Sequence, residues 1–138
     1  MARDIEDLEK YGNLKQEVLE LKDRIATLES IAKRATPGYG LSAGSSGVGQ
    51  TKEDIQIEAI ELKEKLNIKI LQLEKKCQDI EKYTDRLTVD EQRVIKARYM
   101  TGKKKGWTAV SIAVHISRSQ CFEYHRRAIE KLWRWGLR

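Results

Sequence analysis

Residues 107–132 read WTAVSIAVHISRSQCFEYHRRAIEKL, and this stretch decides the fold of the C-terminal part of the chain. Two short amphipathic segments flank a break near Ser117. A helix-turn-helix requires a fixed set of buried positions, because two helices must pack at a steep angle across a tight turn. Apolar residues occupy the whole of that set in this sequence, at Val110, Val114, Ile116, Cys121 and Tyr124.

Polar residues at the break support the same prediction. Ser111 supplies a small residue where the two helices approach. The first helix of the pair is predicted from about Thr108 to Val114, with Thr108 as its cap. Ser117 is predicted to cap the second helix, because serine readily accepts a hydrogen bond from a free N–H of the first turn. The inner face of that second helix is then Cys121, Tyr124, Ala128, Ile129 and Leu132.

The outer face of the second helix is polar at its N-terminal half, where a recognition helix meets base edges and phosphates. Glu123 can accept a hydrogen bond from cytosine N4, or orient Arg118 or Arg126. Phe122 can contact a thymine methyl group or cover the edge of the core. An ordinary three-helix bundle with a basic face is the alternative. The predicted outward residues are Arg118, Ser119, Phe122, Glu123 and Arg126.

A further short helix and a basic loop precede this pair. Thr88 and Glu91 have the spacing of a capping box, which predicts a helix from Val89 to about Met100. The loop TGKKKGW, residues 101–107, has glycines near both ends that let it turn. Its lysines are placed either to reach phosphates or to remain solvated, and they are Lys103, Lys104 and Lys105.

The N-terminal part predicts two long helices that pair. Residues 4–35 carry an apolar stripe at steps of three and four residues, at Leu14, Val18, Leu21, Ile25, Leu28 and Ala32. Residues 51–85 carry a second stripe, with two successive steps of four that predict a stutter at Leu66. Its positions are Ile55, Ala59, Leu62, Leu66, Ile70, Leu73, Cys77 and Ile80.

Residues 36–50, TPGYGLSAGSSGVGQ, hold five glycines and three serines and no charge, which is typical of a flexible linker. A phosphate-binding loop is not favoured, since no GK[ST] sequence follows and no strand precedes. A flexible linker permits an antiparallel coiled-coil hairpin within one chain. The same stripes also fit a homodimer, because neither helix can bury its stripe alone.

Charge separates the chain into two parts. The net charge is +6, yet residues 88–138 alone contain 12 basic and 4 acidic residues, a net charge of +8. A nearly neutral half joined to a basic half suggests that one end holds a partner and the other meets a polyanion. A basic domain without a polyanionic ligand is the alternative.

Several classes of protein are not favoured. No apolar run is long enough to span a bilayer and no secretory signal is present, so we expect a cytoplasmic protein with reduced cysteines and no membrane partner. Cys77 and Cys121 with His115 and His125 lack zinc-site spacing, so no metal or other cofactor is expected. Both histidines are expected on a helix surface or at a turn, where His125 could touch phosphate. No nucleophile–base–acid set stands out, so we expect a non-enzyme.

Residues 87–132 resemble region 4 of sigma-70-type factors, and more closely the phage late-transcription regulators of the ArpU and RinA type. The motifs are LTVDEQRVIKARY, WTAVSIAVHIS and SRSQCFEYHRRAIEKL. His115 stands where glycine is usual in those proteins, at a position that needs a left-handed backbone, and histidine tolerates that better than β-branched residues do. Ser111 replaces the usual alanine.

The resemblance implies regulation of phage or prophage late promoters in a bacterial host, with duplex DNA and RNA polymerase as partners. It adds Ser117 and Gln120 to the DNA-reading positions. The predicted DNA-binding set is therefore Lys103, Lys104, Lys105, Ser117, Arg118, Ser119, Gln120, Phe122, Glu123, Arg126 and Arg127.

Two other functions fit the same pattern. A coiled-coil adaptor would bind polymerase or another protein without reading DNA. A small terminase subunit, used in DNA packaging, would combine the same elements in a ring of many copies. The tryptophans Trp133 and Trp135 are expected to cover the third short helix and to dock on the long helices; an exposed aromatic contact for polymerase is the alternative.

Overall fold

A computed structural model describes residues 4–34 and 51–138, which form five helices and no strand. The predicted linker, residues 36–50, lies outside the described residues. The predicted fold class is confirmed: an all-α chain with a long antiparallel coiled-coil hairpin followed by a small helix-turn-helix domain. The helices are α1 (Glu6–Arg34), α2 (Lys52–Asp85), α3 (Val89–Tyr99), α4 (Trp107–Val114) and α5 (Arg118–Trp135).

Ion pairs along α1 and α2 show that the two helices run antiparallel. Near the start of α1, Tyr11 donates a hydrogen bond of 2.7 Å to Glu81. Further along, Glu17 pairs with Lys69 at 3.3 Å, and Glu29 pairs with Lys63 at 2.8 Å. Partners in α2 therefore come earlier in sequence as α1 advances. None of the described helices has an apolar stretch of the length that a membrane crossing needs.

The seam of α2 differs from its predicted stripe at one position. Leu62 is 39% exposed, whereas Lys63 lies against α1 and pairs with Glu29. With position 63 in the seam, the buried or half-buried positions 59, 63, 66, 70, 73, 77 and 80 alternate regularly between steps of four and three. The double step of four therefore lies at Ala59, between half-buried Ile55 and Lys63, and not at Leu66 as predicted, because a lysine whose ammonium reaches Glu29 takes the position that a purely apolar pattern assigns to leucine.

Contacts divide the chain into two compact units. One unit contains Glu17–Gln72, and the other contains Met1–Gln16 together with Leu73–Arg138. The described N-terminal turns of α1 therefore belong with the short helices. Their buried residues Ile5, Leu8 and Tyr11 share a core with α3, the end of α2 and α5. The residues of α2, α3, α5 and the C-terminal tail in this core are Cys77, Ile80, Leu87, Ile95, Tyr99, Ala128, Ile129, Leu132 and Leu137.

The C-terminal tail closes this core. Trp133 and Trp135 are half-buried against it, which confirms the prediction that they cover α5 and dock on the long helices. The helix ends at Gly136, whose φ of 112° is left-handed. Leu137 is then buried, and the Arg138 N–H donates to the Asp7 carboxylate at 3.2 Å. The two ends of the described chain therefore meet in one unit.

Caps define the short helices. Thr88 and Glu91 form the predicted capping box before α3, and Ser117 accepts from the Gln120 N–H at the start of α5, as predicted. The predicted cap Thr108 is wrong: α4 begins one residue earlier, and Gly106 is its N-cap without a side-chain hydrogen bond. Trp107 can enter the first turn because its indole packs on the core that α3, α4 and α5 share around Val110 and Cys121.

The helix-turn-helix core matches its prediction. Val110, Val114 and Cys121 are buried, and Ile116 and Tyr124 pack against them half-buried. Two residues of α3 complete this core, Val94 and Ala97. The Ser111 hydroxyl donates to the Ile116 carbonyl across the turn, and His115 adopts the left-handed conformation with φ 58° and ψ 41°. The sequence therefore predicted the turn residue by residue.

Candidate nucleic-acid interface

The outward face of α5 is open to solvent. Its inner residues are the predicted ones, with Cys121, Ala128, Ile129 and Leu132 buried and Tyr124 half-buried. The opposite side of the helix exposes six of the predicted DNA-binding residues, and Glu123 is half-buried among them. A solvent-exposed helix face at the second helix of a helix-turn-helix is the surface that such proteins use in the major groove. The exposed residues are Arg118, Ser119, Gln120, Phe122, Arg126 and Arg127.

Glu123 neutralises part of this face. Its carboxylate accepts hydrogen bonds from Arg126 Nη2 at 2.6 Å and from Arg127 Nε at 3.1 Å. The hydrogen bond from Arg126 is the largest influence that holds the pKa of Glu123 below its ordinary value. Of the two roles predicted for Glu123, the structure contains the arginine-orienting one, with Arg126 and not Arg118 as the partner.

Arg118 is the cation at the N-terminal end of this face. It is exposed, and among the described residues no acidic side chain forms an ion pair with it. Ser117 occupies the cap position next to it, so the first turn of α5 also presents backbone N–H groups and the positive end of the helix dipole. Arg118 and the neighbouring Gln120 can therefore bind a ligand without breaking an ion pair among the described residues.

The three loop lysines have different surroundings. Lys104 lies 2.7 Å from the Glu9 carboxylate of α1, so it is held within the unit and is not a fully solvated side chain. Lys105 is half-buried, and its backbone exchanges two hydrogen bonds with Arg98. Lys103 is exposed beside Gly102, whose φ of 114° allows the turn. Gly106 has an ordinary negative φ, so only the first loop glycine is needed for its conformation.

An aromatic cluster packs against α5, where Trp107 at the start of α4 contacts two residues of α5. The Trp107 ring contacts Phe122 with 4.7 Å between centroids and His125 with 4.8 Å. The Arg98 guanidinium lies 4.0 Å from the centre of the Trp107 ring, and its buried Nε has no hydrogen-bond partner among the described residues. Phe122 thus covers the edge of the core, one of its two predicted roles, while 43% of it stays exposed.

His125 is part of this cluster and not a surface residue, so the expectation of a surface histidine is wrong for it. Its Nε2 lies 2.6 Å from the Tyr99 hydroxyl, and its ring stacks on Tyr99. Burial, together with the charges of the nearby Arg98 and Lys104, lowers the pKa of His125 to about 4. The ring is therefore neutral near pH 7 and acts as a packing element. His115, by contrast, lies at the exposed turn, as expected.

Sequence reasoning missed the residues that fix this surface from other helices. Arg93 of α3 donates to the Val114 carbonyl at the end of α4, which ties the two helices together at the turn. Arg98 holds the loop, and Glu9 holds Lys104. No local pattern marks these pairs, because each joins residues on different elements. Among residues 4–34 and 51–138, no group of three or more His, Cys, Asp or Glu side chains is arranged to hold a metal ion.

These features define an all-α protein in which a helix-turn-helix with an open, basic outer face follows a long helix pair. The chain belongs to the DUF722 family, described as a protein of unknown function, whose family model matches residues 5–134. No curated protein and no solved structure matches the chain.

Proposed function

We propose that this chain is a sequence-specific DNA-binding transcriptional regulator that places α5 in the major groove of duplex DNA. The observation that supports it best is the exposed N-terminal half of α5. Arg118 and Gln120 are exposed there, on a helix whose opposite face packs in a buried core. Arginine and glutamine at such positions read guanine and adenine by paired hydrogen bonds.

The charge distribution supports the same proposal. The net charge of +8 on residues 88–138 attracts the phosphate backbone, and Lys103 is exposed on the loop before α4. The resemblance to phage late-transcription regulators suggests the role: a phage or prophage late-gene regulator, acting in the cytoplasm of a bacterial host and contacting its RNA polymerase.

Selection of bound duplexes from a random pool tests this function directly, because no target sequence has to be assumed. We expect one enriched motif. R118A and Q120A should each weaken binding to that motif by about 1–3 kcal/mol per lost base contact and relax the preference at one position. R24A, which changes an exposed arginine of α1, is the matched control and should bind as the wild type does.

Salt dependence separates specific binding from charge attraction. Six phosphate contacts would give a log–log slope of about −5 for affinity against salt, with the preferred motif still bound more tightly than other duplexes. A chain that enriches no motif and binds no duplex at physiological salt would contradict the proposal.

The second candidate function is a polymerase-binding adaptor that does not read DNA. Ile112 on α4 favours it, since this aliphatic side chain is 69% exposed and lies outside the recognition helix. An adaptor predicts that I112D weakens binding to purified bacterial RNA polymerase and that R118A does not. The DNA-binding proposal predicts that R118A weakens binding to duplex DNA and that I112D does not.

A further inference from the structure

The outer face of α2 carries a second apolar stripe beside the seam with α1, which it borders at Ile60, where this residue lines a small cleft with Leu28 and Ala32. Within Glu17–Gln72, the seam positions Ala59, Leu66 and Ile70 are buried. Four other aliphatic residues of the same helix stretch are more than half exposed, at Ile57 (53%), Ile60 (56%), Ile68 (58%) and Leu71 (66%). Single exposed apolar residues are ordinary on a protein surface, but an aligned set on one helix face indicates an interaction surface.

The spacing of this stripe is symmetric. Ile57, Ile60, Glu64, Ile68 and Leu71 follow one another at steps of three, four, four and three residues, so the pattern is the same in both directions from Glu64. A two-fold axis through Glu64 would place Ile57 opposite Leu71 of a second copy, and Ile60 opposite Ile68. Such a self-complementary patch is what an isologous dimer interface requires.

We propose that a second copy of this chain packs on this stripe, with the two α2 helices antiparallel around Glu64. This interface is distinct from the seam, because α1 remains paired with α2 inside each chain through Glu17–Lys69 and Glu29–Lys63. The resulting assembly is a four-helix arrangement of two hairpins, which buries apolar surface that a lone hairpin leaves in water.

Charges beside the stripe favour the antiparallel arrangement. Glu61 and Lys65 are exposed on the same flank of α2, three residues before the midpoint and one residue after it. The two-fold axis therefore brings each Glu61 to within two residues, about 3 Å along the helix, of the level of Lys65 of the second copy, on the same flank and within reach of an ion pair that occurs twice. Glu64 faces its own equivalent at the centre, where two like charges oppose association. The interface is thus apolar at both ends and weakened in the middle.

The dimer would shape DNA recognition if the proposed function holds, and this consequence rests on that function. A two-fold assembly with two helix-turn-helix units binds two half-sites related by inverted symmetry. The selected motif would then be an inverted repeat. The dimer itself can be measured without DNA, so failure of one proposal does not decide the other.

Sedimentation or light scattering of the full chain over a range of concentrations tests the dimer. We expect the wild type to be dimeric, and I68E and L71E to be monomeric at the concentration where the wild type is half associated. Circular dichroism should show unchanged helix content, since both positions are exposed within the chain. L19E is the matched control: Leu19 is 58% exposed on α1, outside the stripe, and this variant should dimerise normally.

Two further variants test the centre and the direction of the pair. E64L should tighten the dimer by about tenfold, because it removes the central repulsion and adds apolar contact. E61K and K65E should each weaken association, and E61K/K65E together should restore it, because the cross-chain pairs are re-formed with reversed charges. A wild type that is monomeric at all concentrations, a dimer that I68E and L19E weaken equally, or a double variant without restored association overturns the proposal.

Discussion

The backbone of Gly12 in α1 lies directly against the carbonyl oxygen of Gly102 in the loop before α4, so closely that a Cβ atom at position 12 would overlap that oxygen. Gly102 itself has a positive φ of 114°. Two glycines on distant elements thus let the N-terminal helix contact the loop that carries the lysines. The same unit places Glu9 within 2.7 Å of Lys104.

Substitution of Gly12 should therefore destabilise the fold. In an exposed helix, alanine is more favourable than glycine by about 1 kcal/mol. Here the added methyl group meets backbone, which cannot rotate away, so we expect G12A to lower the free energy of unfolding by about 1–3 kcal/mol. Urea denaturation measures this change. N13A alters the neighbouring exposed residue and should have a small effect; equal stability of G12A and wild type would mean that α1 does not approach the loop.

The half-buried ring of His125 makes the free energy of unfolding depend on pH. Its pKa is about 4 in the folded chain against an ordinary value of 6.5, so the unfolded chain takes up the proton first as the pH falls. The stabilisation of the folded chain by the neutral His125 ring is complete above about pH 6.5. It is lost progressively toward pH 4, where the free energy of unfolding is lower by up to about 3 kcal/mol. Unfolding free energies measured at pH 7 and pH 4.5 give this loss.

Two histidine variants test whether His125 causes that pH dependence. H125F keeps an aromatic ring beside Trp107 and should reduce the difference in stability between pH 7 and pH 4.5, whatever its effect at neutral pH. H115N changes the other histidine of the chain and leaves the Tyr99–His125 contact in place, so it should keep the wild-type difference. An H125F variant with the full wild-type difference would show that other groups cause it.

Much of the fold could be predicted because its signals are local. Thr88, Ser117 and His115 mark a capping box, an N-cap and a left-handed turn through short-range chemistry, and all three occur as predicted. The apolar positions that α4, the turn and α5 contribute to the helix-turn-helix core follow helical spacing and occur as predicted, whereas Val94 and Ala97 of α3 were not assigned to this core. The outward face of α5 followed from the same register, since the residues that face away from a core are fixed once the core is known.

What could not be predicted depends on contacts between distant elements. Lys63 occupies the seam because Glu29 of α1 pairs with it, a partner that no pattern within α2 reveals. His125 is packed because Tyr99 and Trp107 come from two other helices. Gly12 stands inside a long helix, where glycine is unfavourable, because it is the site of close approach to the loop. In each case the sequence pattern gave the helix and the tertiary partner determined the burial.

Glu91 and Lys131 should be strongly coupled. The Glu91 side chain is 3% exposed and accepts from Lys131 at 2.8 Å and from the Thr88 N–H at 3.0 Å. Burial raises the pKa of Glu91, but these hydrogen bonds outweigh it and leave the pKa below its ordinary value. K131M removes the cation and leaves a buried carboxylate, so we expect a loss of about 1–3 kcal/mol in unfolding free energy.

A double-mutant cycle checks that coupling. E91Q in the K131M background keeps the bond to Thr88 and removes the unpaired charge, so it should recover part of the loss. K96M disrupts an exposed pair with Asp85 at 3.6 Å and should cost at most about 1 kcal/mol. Additive effects of K131M and E91Q would contradict a buried ion pair. Because the pKa of Glu91 is lowered in the folded chain, the Glu91 carboxylate stabilises the fold above the ordinary carboxyl pKa. This stabilisation is lost as the pH falls through the lowered pKa.

The pairing of Glu123 with Arg126 and Arg127 bears on the proposed DNA binding. E123Q keeps the shape of the side chain and removes the charge that holds both arginines on the surface of α5. If α5 enters the major groove, Arg127 is released and Arg126 keeps only its exposed pair with Glu130, so both cations become more available to phosphates. We expect tighter binding to duplexes of any sequence, a salt slope steeper by about 1–2, and a smaller preference for the selected motif.

Glu130 provides the matched control for that prediction. It also pairs with Arg126, at 3.1 Å, but it is 64% exposed and does not contact Arg127. E130Q should therefore change the salt slope less than E123Q does. Fluorescence anisotropy with the selected duplex and a scrambled duplex, over a range of salt concentrations, measures both affinities. The prediction is contradicted if E123Q binds both duplexes more weakly than the wild type and with a shallower salt slope. In that case Arg126 and Arg127 bind DNA while they are paired with Glu123, and the carboxylate positions these arginines and does not compete with the phosphates.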